Sequence, residues 1–246
     1  MKKILVIGES CLDIYQYGSV ERLAPEAPVP IFKKTGPQKI HTGMASNVYN
    51  NILSLCNFDV TLMTNDNYEE VKKIRFIDTR TNYVVLRLDE NDQMYQKKKI
   101  KTFDFSIFDV IIISDYNKGF LTKEEIRYIS NKNNNVFLDT KKILGRWASE
   151  VKYIKINEYE YKQNESFMPT ELRNKLIITR GSNGADHLDI NYPVEKVEIK
   201  DTCGAGDTFI AALAVKYLND GSISNAIKFA NQCATKVVQK KGVSIV

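Results

Sequence analysis

Near the C-terminus the chain reads Asp201-Thr202-Cys203-Gly204-Ala205-Gly206-Asp207. Two glycines around an alanine let the backbone come close to a ligand, and an apolar helical pattern follows at once: Phe209, Ile210, Leu213, Ala214, Tyr217, Leu218. The turn therefore opens a helix, where unpaired N–H groups and the positive end of the helix dipole suit an anion. Asp207 belongs to that first turn. A carboxylate beside a bound phosphate needs a task, and taking the proton from a hydroxyl that attacks the phosphate is one. Gly-Ala-Gly alone reads equally well as a tight turn before a helix; the two flanking aspartates favour the anion.

Other polar clusters fall where strands are expected to end. Gly8-Glu9-Ser10-Cys11-Leu12-Asp13 follows the first strand, and Asp13 either hydrogen-bonds sugar hydroxyls or caps the next element. Thr42-Gly43-Met44-Ala45-Ser46-Asn47 opens the first helix. Gly43 lets a substrate approach the backbone, and Asn47 can donate and accept; a capped helix start is the plainer reading. Asn157 and Glu160 lie three residues apart on one face of a helical turn. They would hold water around Mg²⁺, or form an N-cap with its capping glutamate. Thr179-Arg180-Gly181-Ser182-Asn183-Gly184 ends a strand in a glycine-rich loop whose Arg180 would meet a polyphosphate, or makes a simple turn. Ser114-Asp115-Tyr116-Asn117-Lys118-Gly119 and Leu138-Asp139-Thr140-Lys141 also end strands. Convergence at the carboxyl ends of at least four strands, where open α/β sheets bind ligands, weighs more than any one motif.

Short β-rich apolar runs alternate with helical patterns, which predicts an α/β fold with a mostly parallel sheet. Strands are expected over Lys3–Ile7, Val60–Met63, Val110–Ile113, Val136–Leu138, Tyr153–Ile156 and Leu176–Thr179, and helices over Ala45–Leu55, Lys123–Ser130, Asp207–Leu218 and Ile223–Val238. Ile14–Tyr17, Val29–Lys34 and Arg80–Leu88 do not fit the alternation. With prolines around them they read as a small separate sheet, either a lid that excludes water or a plain β-extension.

The 246 residues are 43% hydrophobic and 26% charged, ordinary for one globular unit. No apolar run approaches ~18 residues, so no membrane partner is expected. The opening apolar run is too short for a signal peptide. The four cysteines are scattered, consistent with reduced thiols and a cytoplasmic location. Net charge is +5, and the one tight basic run, Lys97-Lys98-Lys99 with Lys101, reads as a solvated loop rather than a nucleic-acid patch. No P-loop and no protein-kinase motif set is present. No His/Cys group has zinc spacing; His41 is incidental or touches a ligand, and His187 is expected at the surface. Cys203 reads as a packing residue rather than a nucleophile.

Asp201–Asp207 resembles the D-T-x-G-A-G-D signature of the ribokinase-like (PfkB) carbohydrate kinases, and motif order agrees along nearly the whole chain. Within that family, Arg22-Leu23-Ala24-Pro25-Glu26-Ala27-Pro28-Val29-Pro30, Ser114–Gly119 and Leu86-Arg87-Leu88-Asp89 are similar to the heptose 7-phosphate kinase domain of ADP-heptose biosynthesis. The resemblance implies a ribokinase-like three-layer fold over residues 1–246, with lid strands from about 14–34 and 80–90. It implies ATP and Mg²⁺, and a heptose 7-phosphate acceptor converted to the 1,7-bisphosphate. Asp207 would be the base, and the amides of Gly204, Ala205 and Gly206 would stabilise the transferring phosphoryl group. Thr179, Arg180 and Gly181 would line the nucleotide site with Asn231 near the adenine, and Asn157 and Glu160 would govern Mg²⁺ and phosphate. Asp13, Gly43, Asn47 and Asp115 would serve the sugar. Lid strands in this family often pair across a dimer, and the edges around Pro25 and Pro30 permit a homodimer. Two departures stand out: Met44 replaces the second glycine of a Gly-Gly pair, narrowing the sugar site, and Tyr68–Ile77 replaces a longer stretch. The alternatives are another sugar or nucleoside kinase of the family, or a non-catalytic sugar- or nucleotide-binding member. No adenylyltransferase domain is expected to follow Val246.

Overall fold

The computed structural model describes residues 1–92 and 100–246, so Lys97–Lys99 of the basic run lie outside the described residues. In chain order the elements are β1 (Lys3–Gly8), β2 (Ser10–Leu23), β3 (Pro30–Met44), α1 (Ala45–Leu55), β4 (Asp59–Met63), β5 (Lys72–Asp78), β6 (Val84–Glu90), β7 (Val110–Asp115), α2 (Lys123–Lys132), β8 (Val136–Thr140), β9 (Tyr153–Asn157), α3 (Glu158–Asn164), β10 (Leu176–Thr179), β11 (Ala185–His187), β12 (Ile190–Tyr192), α4 (Ala205–Asp220) and α5 (Ile223–Val237).

The main sheet runs β12-β11-β10-β9-β8-β7-β1-β4. Its pairs are parallel from β10 to β4, and β11 and β12 add an antiparallel edge. Alternation along β1 decides the layers. Ile4 and Val6 join the cluster with Val48, Ile52, Phe209, Leu213, Ile227 and Ala230 of α1, α4 and α5. Leu5 and Ile7 face the other way, onto Ile126, Ile129, Leu144 and Leu172 on the α2 side. Helix α4 is buried without a break from Asp207 to Val215, because α1, α5 and the sheet enclose it. It begins at Gly204 and ends at Gly221, both in the left-handed region (φ 81° and 70°) that a non-glycine residue enters at a cost.

A second sheet, β3-β2-β5-β6, stands at the carboxyl end of β1. It corrects the expected lid in extent and strand count. β2 and β3 are far longer than Ile14–Tyr17 and Val29–Lys34, Arg80 and Thr81 form a turn before β6, and a fourth strand, β5, pairs in parallel with β2. The segment read as shortened thus supplies an inner strand of this second sheet. Pro30 and Pro37 lie on β3, an edge strand, where the missing N–H breaks no inner ladder. His187 was expected at the surface and is buried instead: β12 covers it, and its Nδ1 lies 2.7 Å from the carbonyl oxygen of Leu176.

Gly8 marks a very close approach between β1 and β7 of the main sheet. A Cβ there would lie 1.8 Å from the carbonyl oxygen of Ser114 on the neighbouring β7. Gly8→Ala should therefore lower stability by about 3 kcal/mol or more in urea unfolding. Gly36→Ala, at φ 79° with nothing within 4 Å, should cost only roughly 1 to 2 kcal/mol. Equal losses would show that the approach of β1 to β7 is not the constraint.

Candidate active site

The turn at Gly204 brings Asp207 into the first turn of α4, 6% exposed. Two neutral donors hold its carboxylate. Asn47 Nδ2 donates to Oδ2 at 2.9 Å, and the Tyr116 hydroxyl donates to Oδ1 at 2.7 Å. The Asn47 amide is oriented by Asn51, whose Nδ2 donates to the Asn47 carbonyl at 2.9 Å and to Asn47 Oδ1 at 3.2 Å. Thr208 in turn donates to Asn51 Oδ1 at 3.0 Å, locking α1 to α4. Burial raises the Asp207 carboxyl from 3.8 to about 6, against the pull of Asn47 and Tyr116 toward the ionised form. Burial and the neighbouring Asp207 push the Tyr116 phenol well above its usual value, so it stays a neutral donor.

Tyr116 is positioned from below by Glu9, which is fully buried. The Glu9 carboxylate accepts from the backbone N–H of Tyr116 (2.8 Å), Lys118 (3.0 Å) and Phe120 (3.3 Å), gathering the loop after β7. Its pKa is raised by burial and by Asp115. Around this core three lysines have their own carboxylates. Lys155 Nζ lies 2.7 Å from Asp139 Oδ2, and a Cβ on Gly206 would be 2.9 Å from that ammonium. A buried cation therefore stands against the Gly-Ala-Gly turn. Lys142 Nζ pairs with Asp115 Oδ1 at 2.6 Å, and Lys141 pairs with Glu160. Burial opposes the Lys141 charge, but Asp139 and Glu160 outweigh it and raise its pKa.

A cavity of about 410 Å³ opens on the same turn, lined by Thr202, Ala205, Gly206 and Phe209, by Thr179, Gly181 and Gly184 after β10, and by Asn231, Thr235 and Val238 of α5. That volume suits a nucleotide-sized ligand. Thr179, Gly181 and Asn231 thus come together as the sequence suggested. Arg180 does not: its guanidinium turns away to Asp186 and to Glu158 Oε1 at 3.0 Å. Asp115 is also corrected. It is 1% exposed and engaged by Lys142 and Thr140, so it anchors the floor and faces no ligand. Asn157 and Glu160 form the capping box of α3, with reciprocal bonds of 2.8 Å to each other's backbone N–H. Asn47 serves Asp207 and offers no open amide to a sugar. Asp13 is held by Arg75, and Gly43 lies so close that a Cβ there would be 2.0 Å from Asp13 Oδ2. Met44 adopts φ 61°, ψ −130° and packs its side chain with Cys11, Val71 and Tyr116. A non-glycine residue there stores roughly 1 to 3 kcal/mol of strain.

Sequence reasoning missed Lys73, Arg75, Lys155 and the contact between Tyr116 and Asp207. The first two carried a signal, since Lys73 and Arg75 alternate with Ile74 and Phe76 in a strand-like period of two. Lys155 precedes Asn157 in an apolar strand, where a buried cation can be noticed but its partner cannot.

A family model described as pfkB family carbohydrate kinase matches residues 59–246. The bifunctional protein HldE of Helicobacter acinonychis (strain Sheeba) is 30% identical over 299 aligned residues, covering 100% of this chain and 64% of that protein. HldE of a Nitratiruptor species is 28% identical over 291, covering 98% and 62%. The chain thus spans under two thirds of the length of these relatives. Among solved structures, ribokinase from Thermotoga maritima superposes with a TM-score of 0.73 at 18% identity, covering 99% of this chain and 95% of the other. Phosphofructokinase-2 from Escherichia coli, in complex with potassium, gives 0.70 at 14%, covering 99% and 94%. These two likenesses establish the ribokinase fold.

Tyr116→Phe removes one of the two donors that favour the ionised carboxylate. The Asp207 carboxyl, followed by its ¹³C shift, should titrate near 6 in the parent and roughly one pH unit higher in the variant. An unmoved midpoint would mean that the hydroxyl does not hold the carboxylate.

Proposed function

Since the chain belongs to the pfkB family of carbohydrate kinases, we propose that it transfers the γ-phosphoryl group of ATP to a sugar hydroxyl, converting heptose 7-phosphate to heptose 1,7-bisphosphate. One observation carries this reading. A buried carboxylate, raised to about 6 and held by neutral donors, shares a helix start with a glycine turn onto which a nucleotide-sized cavity opens. A base with that pKa is ionised at neutral pH and still basic enough to draw a proton from an attacking hydroxyl. The amides of Gly204, Ala205 and Gly206, with Lys155 beside them, offer positive charge to the equatorial oxygens of the phosphoryl group in flight. ATP is the donor that a kinase family of this fold implies, with Thr179, Gly181 and Asn231 along its cavity. Heptose 7-phosphate as acceptor is supported by the HldE relatives along the whole chain.

Among the described residues no group of three or more His, Cys, Asp or Glu side chains could cage a metal ion. The residues fit a Mg²⁺ that arrives on the nucleotide and keeps its waters. Each Glu160 oxygen accepts one bond, from Asn157 N–H or from Lys141, and retains a lone pair for a metal-bound water. Glu160 and Asn157 would hold such an ion, which would neutralise charge between the phosphates. We assign the whole of 1–246 to one kinase unit with β2, β3, β5 and β6 as its lid. No described helix is long and apolar enough to cross a membrane. Four unpaired thiols and an ATP-dependent reaction favour the cytoplasm.

The outer lid face supports a homodimer. Register aligns Ile40, Ile14, Ile74 and Leu88 in one row across the four strands, with Ile40 and Leu88 exposed. An apolar row of this kind on a surface marks a contact site. Sedimentation should give a dimer that Ile40→Lys with Leu88→Lys converts to monomer; a monomeric parent would refute the assembly.

Mg-ATP with heptose 7-phosphate should yield ADP, and Asp207→Asn should abolish turnover while ATP still binds. An active variant removes Asp207 as the base, and no turnover by a folded parent on any sugar or sugar phosphate removes the kinase reading. The same variant has a stability signature. The folded pKa of about 6 lies above the usual 3.8, so ionisation opposes folding increasingly from pH 4 to 6 and fully above it. Asp207→Asn should therefore raise stability at pH 7 by on the order of 2 to 3 kcal/mol and much less at pH 4.

A further inference from the structure

The inner face of the lid sheet carries charges that the chemistry at Asp207 does not use. Register brings His41, Asp13, Lys73 and Asp89 into one row across β3, β2, β5 and β6, and Lys39, Tyr15, Arg75 and Arg87 into the next. Most of these charges are matched. Arg75 is engaged by Asp13, and Arg87 grips Asp89 through two bonds of 2.7 Å. Nearby, Lys118 meets Asp92, and Lys141, Lys142 and Lys155 each face a carboxylate. Lys73 differs. It is 7% exposed, and the carboxylates on either side of it in the row, Asp13 and Asp89, are taken by Arg75 and Arg87, so that among the described residues no hydrogen bond or close ion pair holds its ammonium. It lies over the ring of Tyr116, 5.3 Å from the centroid.

Burying an ammonium against an aromatic face recovers only part of its hydration, so one whose neighbouring carboxylates are each gripped by an arginine gains from an anion that arrives. The position says which anion. The same Tyr116 ring carries the hydroxyl bonded to Asp207, so Lys73 stands one side chain from where an acceptor hydroxyl would be activated. Lys73 belongs to the lid, whereas the glycine turn, Lys155 and the 410 Å³ cavity occupy the donor side. We propose that Lys73 anchors an acceptor-phosphate subsite on the inner lid face, flanked by Arg75, which makes the protein select sugar monophosphates over free sugars. This rests on the kinase reading and adds the residue that would set its substrate class.

The test compares heptose 7-phosphate with the same heptose lacking its phosphate, using the full chain and the variants Lys73→Met and Lys73→Arg. Lys73→Met should lower the ratio of kcat/KM for the phosphorylated over the free sugar by about tenfold or more, through KM. The KM for ATP should stay within about twofold, and Lys73→Arg should restore most of the preference. The Tm of Lys73→Met should equal or exceed that of the parent, because no ion pair is broken. Equal losses on both sugars, or a raised KM for ATP, would assign Lys73 to the transferring phosphoryl group and overturn the proposal. A Tm lowered by several degrees without a change in preference would make it structural. If the parent turns over neither sugar, the heptose acceptor fails on its own. Calorimetry of heptose 7-phosphate on the parent and Lys73→Met then decides the subsite, and equal affinities overturn it.

Discussion

A carboxylate buried without a cation of its own organises this site. Asp207 could have been paired with Lys155, which stands against Gly206 in the same turn. Such a pair would lower its pKa and make it a poor base. Instead Lys155 is matched by Asp139, Lys142 by Asp115 and Lys141 by Glu160, while Asp207 is left to an amide and a phenol. Neutral donors keep the carboxylate soluble in the protein interior without quenching its basicity, and burial then lifts it to about 6. The buried ion pairs at the strand ends are therefore best understood as charge separation. They keep cations close to the phosphate turn and off the base.

That arrangement requires backbone to be held in place from two directions. From the α1 side, Asn51 fixes which way the Asn47 amide points and also receives Thr208, so a single buried asparagine sets the donor and ties the helices. From the sheet side, Glu9 collects three N–H groups of the loop after β7 and so sets the height of Tyr116. The second depends on β1 and β7 approaching as closely as Gly8 allows, because Glu9 follows Gly8 directly and the Tyr116 loop follows β7. The packing of the main sheet thus reaches the base through two hydrogen-bond relays, each made of uncharged donors or backbone.

How much of this was legible in the chain depends on whether the deciding contact is local. The run Ile4–Ile7 gives β1, since a strand covered on both faces must be apolar throughout. α1 matches the expected Ala45–Leu55, and α4 starts two residues before the expected Asp207. The Gly204–Asp207 turn also reads directly, because its spacing is its geometry. Partners that no spacing rule singles out do not read, even a few positions away. His187 looked exposed because β12, which covers it, is only three residues long. Arg180 and Asp115 looked available because Asp186 and Lys142, which engage them, carry no mark of pairing in the sequence. Asn157 and Glu160 were legible as a cap, and the cap is what their side chains make.

The second sheet shows why β5 escaped notice and why it matters. Its alternation is complete, but each face has a different partner: Lys73 and Arg75 look toward the site, while Ile74 joins the outer apolar row and Phe76 lies between Gln16 and Leu86 in the next. A slip of one residue against β2 would exchange the two sets, placing ammonium groups outside and isoleucine over Tyr116. Packing resists that slip at the root of the sheet. Gly43 admits Asp13 Oδ2 where a Cβ would collide, and Met44 accepts a left-handed backbone to seat its side chain on Cys11, Val71 and Tyr116. Strain at Met44 is therefore balanced by contacts that join β2, β3 and the Tyr116 loop in one cluster. The residue that holds Asp207 is packed against the root of the second sheet, so the register of that sheet and the position of the Asp207 carboxylate are fixed by the same few side chains.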